Sequence, residues 1–124
     1  MSKIKVLYMT NYPAPYRVDF FNELGKYCEL TVSYEERPED QKHRDSSWFN
    51  TNFENFTAVY LKPSIRRNGH TLLSMQIVDE IRKKYDAIIV GVYSTGTSIL
   101  AIQYMIAKKI PYYIETDGGI AKDG

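Results

Sequence analysis

The chain has 124 residues, 44% of them hydrophobic and 25% charged, with a net charge of +1. That length and balance suit one globular domain able to bury a core without disulfides or metals, and they exclude a disordered segment and a strongly basic nucleic-acid binder. The single cysteine, Cys28, cannot close an internal disulfide, and no apolar run approaches the roughly 20 residues of a spanning helix. Residues 1–6 read as a strand start and not as a signal peptide, so the expected location is cytoplasmic.

Residues 4–9 form a short β-branched apolar run that ends in Thr10-Asn11-Tyr12-Pro13. This predicts a buried strand followed by a turn. From 16 to 27 the period changes to helical, with Val18, Phe21, Leu24 and Phe20 toward one face and Gly25 near the end. Residues 30–34 predict a second strand, and 35–55 a polar excursion in which 35–44 reads as a solvated loop. A third strand is expected over 56–61 and a helix over 70–84. Residues 87–92 give the strongest strand signal, a continuous run of the kind buried on both faces. A helix over 94–109, capped by Ser and Thr, a strand over 110–115 and a terminal loop over 117–124 complete the chain.

Strands alternating with helices imply a parallel sheet covered on both faces. Right-handed crossovers then predict an α/β, doubly wound, Rossmann-like domain with strand order 3-2-1-4-5, spanning residues 1–124. In such sheets ligands bind beyond the carboxyl ends of the strands, where the order reverses. Three loops are expected to meet there: 10–17, 91–97 and 115–119.

The first loop is stiffened by Pro13 and Pro15. Arg17 then sits near a helix amino terminus, where a cation opposes the helix dipole. Either an anionic partner offsets it, from a neighbouring loop or a ligand, or it pairs with Asp19 or solvent. The second loop, Gly91-Val92-Tyr93-Ser94-Thr95-Gly96-Thr97-Ser98, offers hydroxyls and free N–H groups at a helix start. Those groups suit an anion, or serve only as multiple caps. The third carries Glu115, Asp117 and Asp123 beside Gly118-Gly119. A carboxylate there can accept a sugar hydroxyl or act as a base, and the rival reading is an Asp-Gly turn.

Other patterns are missing. There is no GxGxxG after the first strand, no GxxxxGK[ST] and no GxSxG, and His43 and His70 lie far apart without cysteine partners. No metal ion is therefore expected. Trp48, Phe49, Phe53 and Phe56, interleaved with Asn50, Asn52 and Asn55, either stack on sugar rings or pin the excursion to the core. Lys62, Arg66, Arg67, Lys83, Lys84, Lys108 and Lys109 are solvated, or they form a basic surface for peripheral contact with an anionic membrane on its inner face.

Residues 4–17, with Phe20-Phe21-Asn22-Glu23-Leu24, resemble the start of family-4, GT-B-fold glycosyltransferases, and Glu115-Thr116-Asp117-Gly118-Gly119 matches a subset of that group. The resemblance implies the amino-terminal, acceptor-side domain of a two-domain retaining enzyme in cell-surface polysaccharide or lipopolysaccharide synthesis. Such an enzyme uses a nucleotide-sugar as co-substrate, needs no metal, and is inactive without its carboxy-terminal donor domain. The expected acceptor is a sugar or a lipid-linked sugar, with no nucleic-acid partner. It would meet Asn11, Tyr12, Pro13, Tyr16, Arg17, Ser94, Thr95, Glu115, Gly118 and Gly119, with Asp117 in the catalytic position. Pro13-Ala14-Pro15 stands where many members carry a Gly-rich turn, and Asp117 where many carry His. The first loop is accordingly expected to wall the acceptor side and not to cradle donor phosphate. From a different class comes a standalone flavodoxin-like module that binds a phosphorylated small molecule at 94–98, since that loop resembles the hydroxyl-rich phosphate loop of flavodoxins. A third alternative is a non-catalytic subunit that pairs with a separate donor-domain protein.

Overall fold

The computed structural model describes residues 3–11, 13, 15–36, 53–68, 70–92, 95–116 and 119–123, with side chains for all of these except 15, 16, 116 and 119–123. Strand β1 (Lys5–Thr10) lies at the centre of a sheet with β2 (Glu29–Tyr34) on one side and β6 (Ala87–Val90) on the other, both parallel to it. Strand β3 (Thr57–Tyr60) extends the sheet beyond β2, and β7 (Tyr112–Thr116) extends it beyond β6. The full order is β3-β2-β1-β6-β7-β8. Its five parallel strands, taken in chain order, have the expected 3-2-1-4-5 arrangement.

The alternation along β1 explains the two layers of helix. Successive side chains of a strand face opposite sides. Leu7 and Met9 join Ile77 and Ile81 of α2 (Gln76–Ile81) and Ala101 and Met105 of α3 (Gly96–Ala107) in one core. Val6 and Tyr8 join Phe21 of α1 (Pro15–Leu24) and Leu30, Val32 and Tyr34 of β2 in the other. Both faces of β1 are thus buried, and the domain is doubly wound. Pro15 opens α1 at the first helical position, where its missing N–H costs no hydrogen bond. Of the four residues expected on the inner face of α1, Val18 and Phe21 are fully buried and Leu24 partly so, while Phe20 is 42% exposed. No helix among the described residues is long and apolar enough to cross a membrane.

Two expectations are corrected. Residues 70–84 do not form one helix: His70–Leu73 is strand β5, and α2 begins only at Gln76. Strand β5 pairs antiparallel with β4 (Ile65–Arg67) in a separate two-stranded sheet. The cause is the Asn68-Gly69 dipeptide, the strongest short hairpin signal. Asn68 takes the left-handed φ of 54° that such a turn requires. Ser74 then fixes the break before α2, because its N–H donates to Thr97 Oγ1 at 2.8 Å and its hydroxyl to the Lys62 carbonyl at 2.6 Å. The second correction is at the carboxyl end of the chain. Residues 119–123 are not loop but strand β8 (Gly119–Asp123), antiparallel to β7 with Thr116 opposite Gly119.

Gly91, just past β6, lets the chain run close to β1. Its N–H donates to the Met9 carbonyl at 2.7 Å, and a Cβ there would lie 2.7 Å from that same oxygen and 2.9 Å from Tyr8 Cε1. The backbone oxygen and the buried ring leave it nowhere to go. Gly91→Ala is expected to destabilise the fold by about 1–3 kcal/mol, the usual range for overpacking. A urea midpoint equal to that of the parent chain would refute the close approach.

Candidate functional site

The strand order reverses between β1 and β6, and the carboxyl ends of these strands and of β2 and β7 lie at one edge of the sheet. Two polar clusters occupy this edge.

The first is built on Arg17 in the opening turn of α1. Its guanidinium donates to Glu115 Oε1 at 2.7 Å, to Glu115 Oε2 at 3.3 Å and to the Tyr8 hydroxyl at 2.9 Å. It also lies over the rings of Tyr8, Phe20 and Phe21, 5.2–5.3 Å from their centroids. Here is the anionic partner that a cation at a helix amino terminus calls for. It is a carboxylate of β7, not Asp19. The paired side chains are 21% and 23% exposed, so solvent screens this contact less than a surface pair. Burial pushes the Tyr8 hydroxyl pKa well up, and its hydrogen bond with Glu115 adds to the rise. Burial alone would lower the pKa of Arg17, but Tyr8 and Glu115 outweigh it and hold the guanidinium firmly charged.

The second cluster centres on Glu35, directly after β2. Glu35 is 6% exposed. Its Oε2 accepts from the Thr95 hydroxyl at 2.9 Å. Thr95 is the N-cap of α3, and its side-chain oxygen accepts from the Ser98 N–H at 3.1 Å. The Ser98 hydroxyl donates onward to the Val92 carbonyl. Two residues past Thr95, the Thr97 hydroxyl accepts from the Ser74 N–H, so the start of α3 holds both Glu35 and the segment just after the β4–β5 hairpin. Next to it, Glu36 Oε1 lies 2.9 Å from His70 Nδ1 and accepts from the Thr71 N–H at 3.4 Å. Burial raises the Glu35 pKa, and the hydroxyls of Thr95 and Thr97 pull it partly back.

These placements sort the expected site residues. Arg17, Glu115 and Thr95 lie in the two clusters, and Asn11 follows β1 at the same edge, where its carbonyl accepts from the Glu36 N–H at 2.8 Å. Pro13 is buried in the first loop. Tyr16 and Gly119 are placed by their backbones, in α1 and β8. Tyr12, Ser94, Asp117 and Gly118 lie outside the described residues. Phe53 and Phe56 pin the excursion after β2: Phe53 stacks on Tyr34 at 6.0 Å between centroids, and Phe56 meets Phe21 edge-on at 5.7 Å. Asn55 is anchored to Asn22 by two hydrogen bonds. Trp48, Phe49, Asn50 and Asn52 lie outside the described residues.

Sequence reasoning passed over Glu35, which reads as the first residue of a solvated loop. The signal that finds it is positional. It immediately follows the apolar run of a parallel strand adjacent to β1, at the edge where ligands bind. Tyr8, in the middle of a strand, carries no comparable signal. Compared with protein-family models, curated proteins and solved structures, the chain matches none.

Removing Arg17 would leave a part-buried carboxylate without its cation and the Tyr8 hydroxyl without the donor it accepts from. Arg17→Ala is expected to cost about 1–3 kcal/mol of stability. In a double-mutant cycle with Glu115→Gln, the two losses should be clearly less than additive. Strict additivity in chemical denaturation would show that the pair is not formed.

Glu35 yields a pH dependence with a definite sign. Its folded pKa lies above its ordinary value of 4.5, so above that pH the native state holds the proton more tightly than the unfolded state does. Stability should therefore be greatest below that value and fall as pH rises through the raised pKa. Urea midpoints measured across this range should slope downward for the parent chain and flatten for Glu35→Gln. Parallel slopes for the two would mean that burial does not perturb this carboxyl.

Proposed function

We propose that the chain is the acceptor-side domain of a GT-B-type glycosyltransferase and that the edge between β1 and β6 holds a hydroxyl-rich acceptor. The Rossmann-like sheet, the crevice at its order reversal and the Thr10–Arg17 turn support this reading together. One observation carries it beyond fold: among the described residues, the helix start of α3 and the Arg17 guanidinium are both already matched by the protein's own carboxylates. Glu35 is bonded to Thr95 at the start of α3, where a phosphate would otherwise be drawn. Arg17 is committed to Glu115. An entering phosphate would meet carboxylates at both places. A neutral polyol meets hydrogen-bond acceptors, since a carboxylate can take several donors at once and Thr95 uses only part of Glu35's capacity. The same point disfavours the flavodoxin-like alternative, in which 94–98 would cradle a phosphate.

On this reading the carboxylates at the edge orient the acceptor by taking its hydroxyl protons in hydrogen bonds. Orientation of this kind speeds a two-substrate reaction by fixing the attacking hydroxyl before transfer. Asp117 is the proposed catalytic-position carboxylate. The donor is a nucleotide-sugar carried by a second domain, and no metal is assigned.

A sugar-nucleotide transfer assay on the longest natural reading frame containing this chain tests the proposal. Glu35→Gln should lower kcat/KM for the acceptor by roughly 10- to 100-fold, the loss of one charge-assisted hydrogen bond, and Asp117→Ala should lower kcat. Saturable binding of FMN to the purified chain, or transfer indifferent to both substitutions, would overturn it.

A further inference from the structure

The β4–β5 hairpin forms a sheet of its own that rests on the start of α3 through β5 and leaves β4 exposed along its length. Residues 62–68 are all exposed. Ile65 is 52% exposed, Leu72 45%, and Met75, in the turn that follows, 53%. These are three large apolar side chains within eleven residues, on a segment that contributes nothing to either core cluster through them. Between and before them lie Lys62, Arg66 and Arg67, and no acidic residue occurs from Leu61 to Val78. Exposed apolar tips alternating with fixed cations are the composition of a surface that sits in a headgroup layer. Apolar side chains reach the acyl boundary while Lys and Arg meet phosphate.

Position adds a second argument. Lys62 lies two residues past the carboxyl end of β3, so the hairpin emerges from the same edge of the sheet as the crevice. It is tied to that crevice by three bonds: Glu36 to His70, Glu36 to Thr71, and Ser74 to Thr97. The remaining basic residues lie elsewhere. Lys84 comes before the amino end of β6, and Lys108 and Lys109 before that of β7, at the opposite edge. Of these basic residues, Lys62, Arg66 and Arg67 beside the crevice are the ones close in sequence to the exposed Ile65, Leu72 and Met75.

We infer that the β4–β5 hairpin docks on an anionic lipid bilayer and holds the mouth of the crevice at its surface. An acidic protein partner would match the cations but would leave Ile65, Leu72 and Met75 unaccounted for. Docking itself is independent of the glycosyltransferase reading. Its corollary, that the acceptor is lipid-linked, rests on that reading.

Co-sedimentation of the purified chain with vesicles tests the docking directly. One set of vesicles contains phosphatidylcholine alone and the other equal parts phosphatidylcholine and phosphatidylglycerol. Binding is expected to the anionic vesicles and to weaken with salt. Each Lys or Arg at an anionic surface strengthens adsorption about fivefold, so Arg66→Gln with Arg67→Gln should weaken binding by more than tenfold. Leu72→Ser with Ile65→Ser should weaken it with the charge unchanged, which a merely electrostatic contact would not do. Lys108→Gln with Lys109→Gln, at the far edge, should leave it within about twofold. Circular dichroism of each variant confirms that exposed substitutions leave the fold intact. The inference is overturned if the chain ignores anionic vesicles. It is equally overturned if the far-edge pair matters more than the hairpin pair, or if the serine variants bind as the parent does. Vesicle binding reads no sugar transfer, so failure here and failure of the glycosyltransferase proposal are separable.

Discussion

Burial of β1 on both faces is the constraint from which the remaining architecture follows. Val6 and Tyr8 require cover on one side, Leu7 and Met9 on the other, and a strand so placed must lie inside the sheet with helices above and below it. With β2 joined through α1 on one face and β6 arriving over the other, the chain leaves β1 in two directions. The gap between the outgoing connections is the crevice. Tyr8 shows how closely core and site are joined here. Its ring is part of the α1-side core, and its hydroxyl accepts from Arg17 at the edge.

Electrostatically, the edge is unusual in being answered from within. A helix amino terminus and a guanidinium in the first turn of another helix are the two places in this region where positive potential would collect. Each has a glutamate from a different strand end assigned to it, Glu35 from the β2 side and Glu115 from β7. The two pairs differ in character. Arg17–Glu115 is a bidentate ion pair backed by three aromatic rings, and it fastens α1 to a strand two places away in the sheet. Glu35 has hydroxyl partners instead of a cation, and burial weakens its hold on charge. The first pair is suited to fixing geometry. The second keeps a carboxylate whose hydrogen-bonding state can change.

Most of the sheet was legible because parallel strands announce themselves as unbroken apolar runs. The run in β1 is buried on both faces, Ala87–Val90 is buried at Ile88 and Val90 and half-buried at Ala87 and Ile89, and the order of the parallel strands follows from handedness. Between 65 and 75 the reading failed. Leu72, Leu73, Met75, Ile77 and Val78 mimic a helical face, while the opposing signal is only the two residues Asn68-Gly69. A hairpin depends on pairing with residues earlier in the chain, and a helical count over a local window does not see them. In the site, Arg17 could be flagged because a cation at a helix start is locally anomalous. Its partner could not be chosen, since Glu115 is 98 residues away and only the fold brings it near. Glu35 was hidden for a different reason, because one residue at the head of a charged loop looks like any other until the strand before it is known to sit beside the order reversal.

The bonds from Thr95 to Glu35, from Ser74 to Thr97 and from Ser74 to the Lys62 carbonyl rest the crevice carboxylate and the root of the hairpin on the same amino end of α3. A ligand that displaced that turn would disturb both. By reciprocity, whatever displaced the hairpin root through the same turn would bias the affinity of the crevice by the same factor. Crevice and hairpin are thus fastened to one support and not to two.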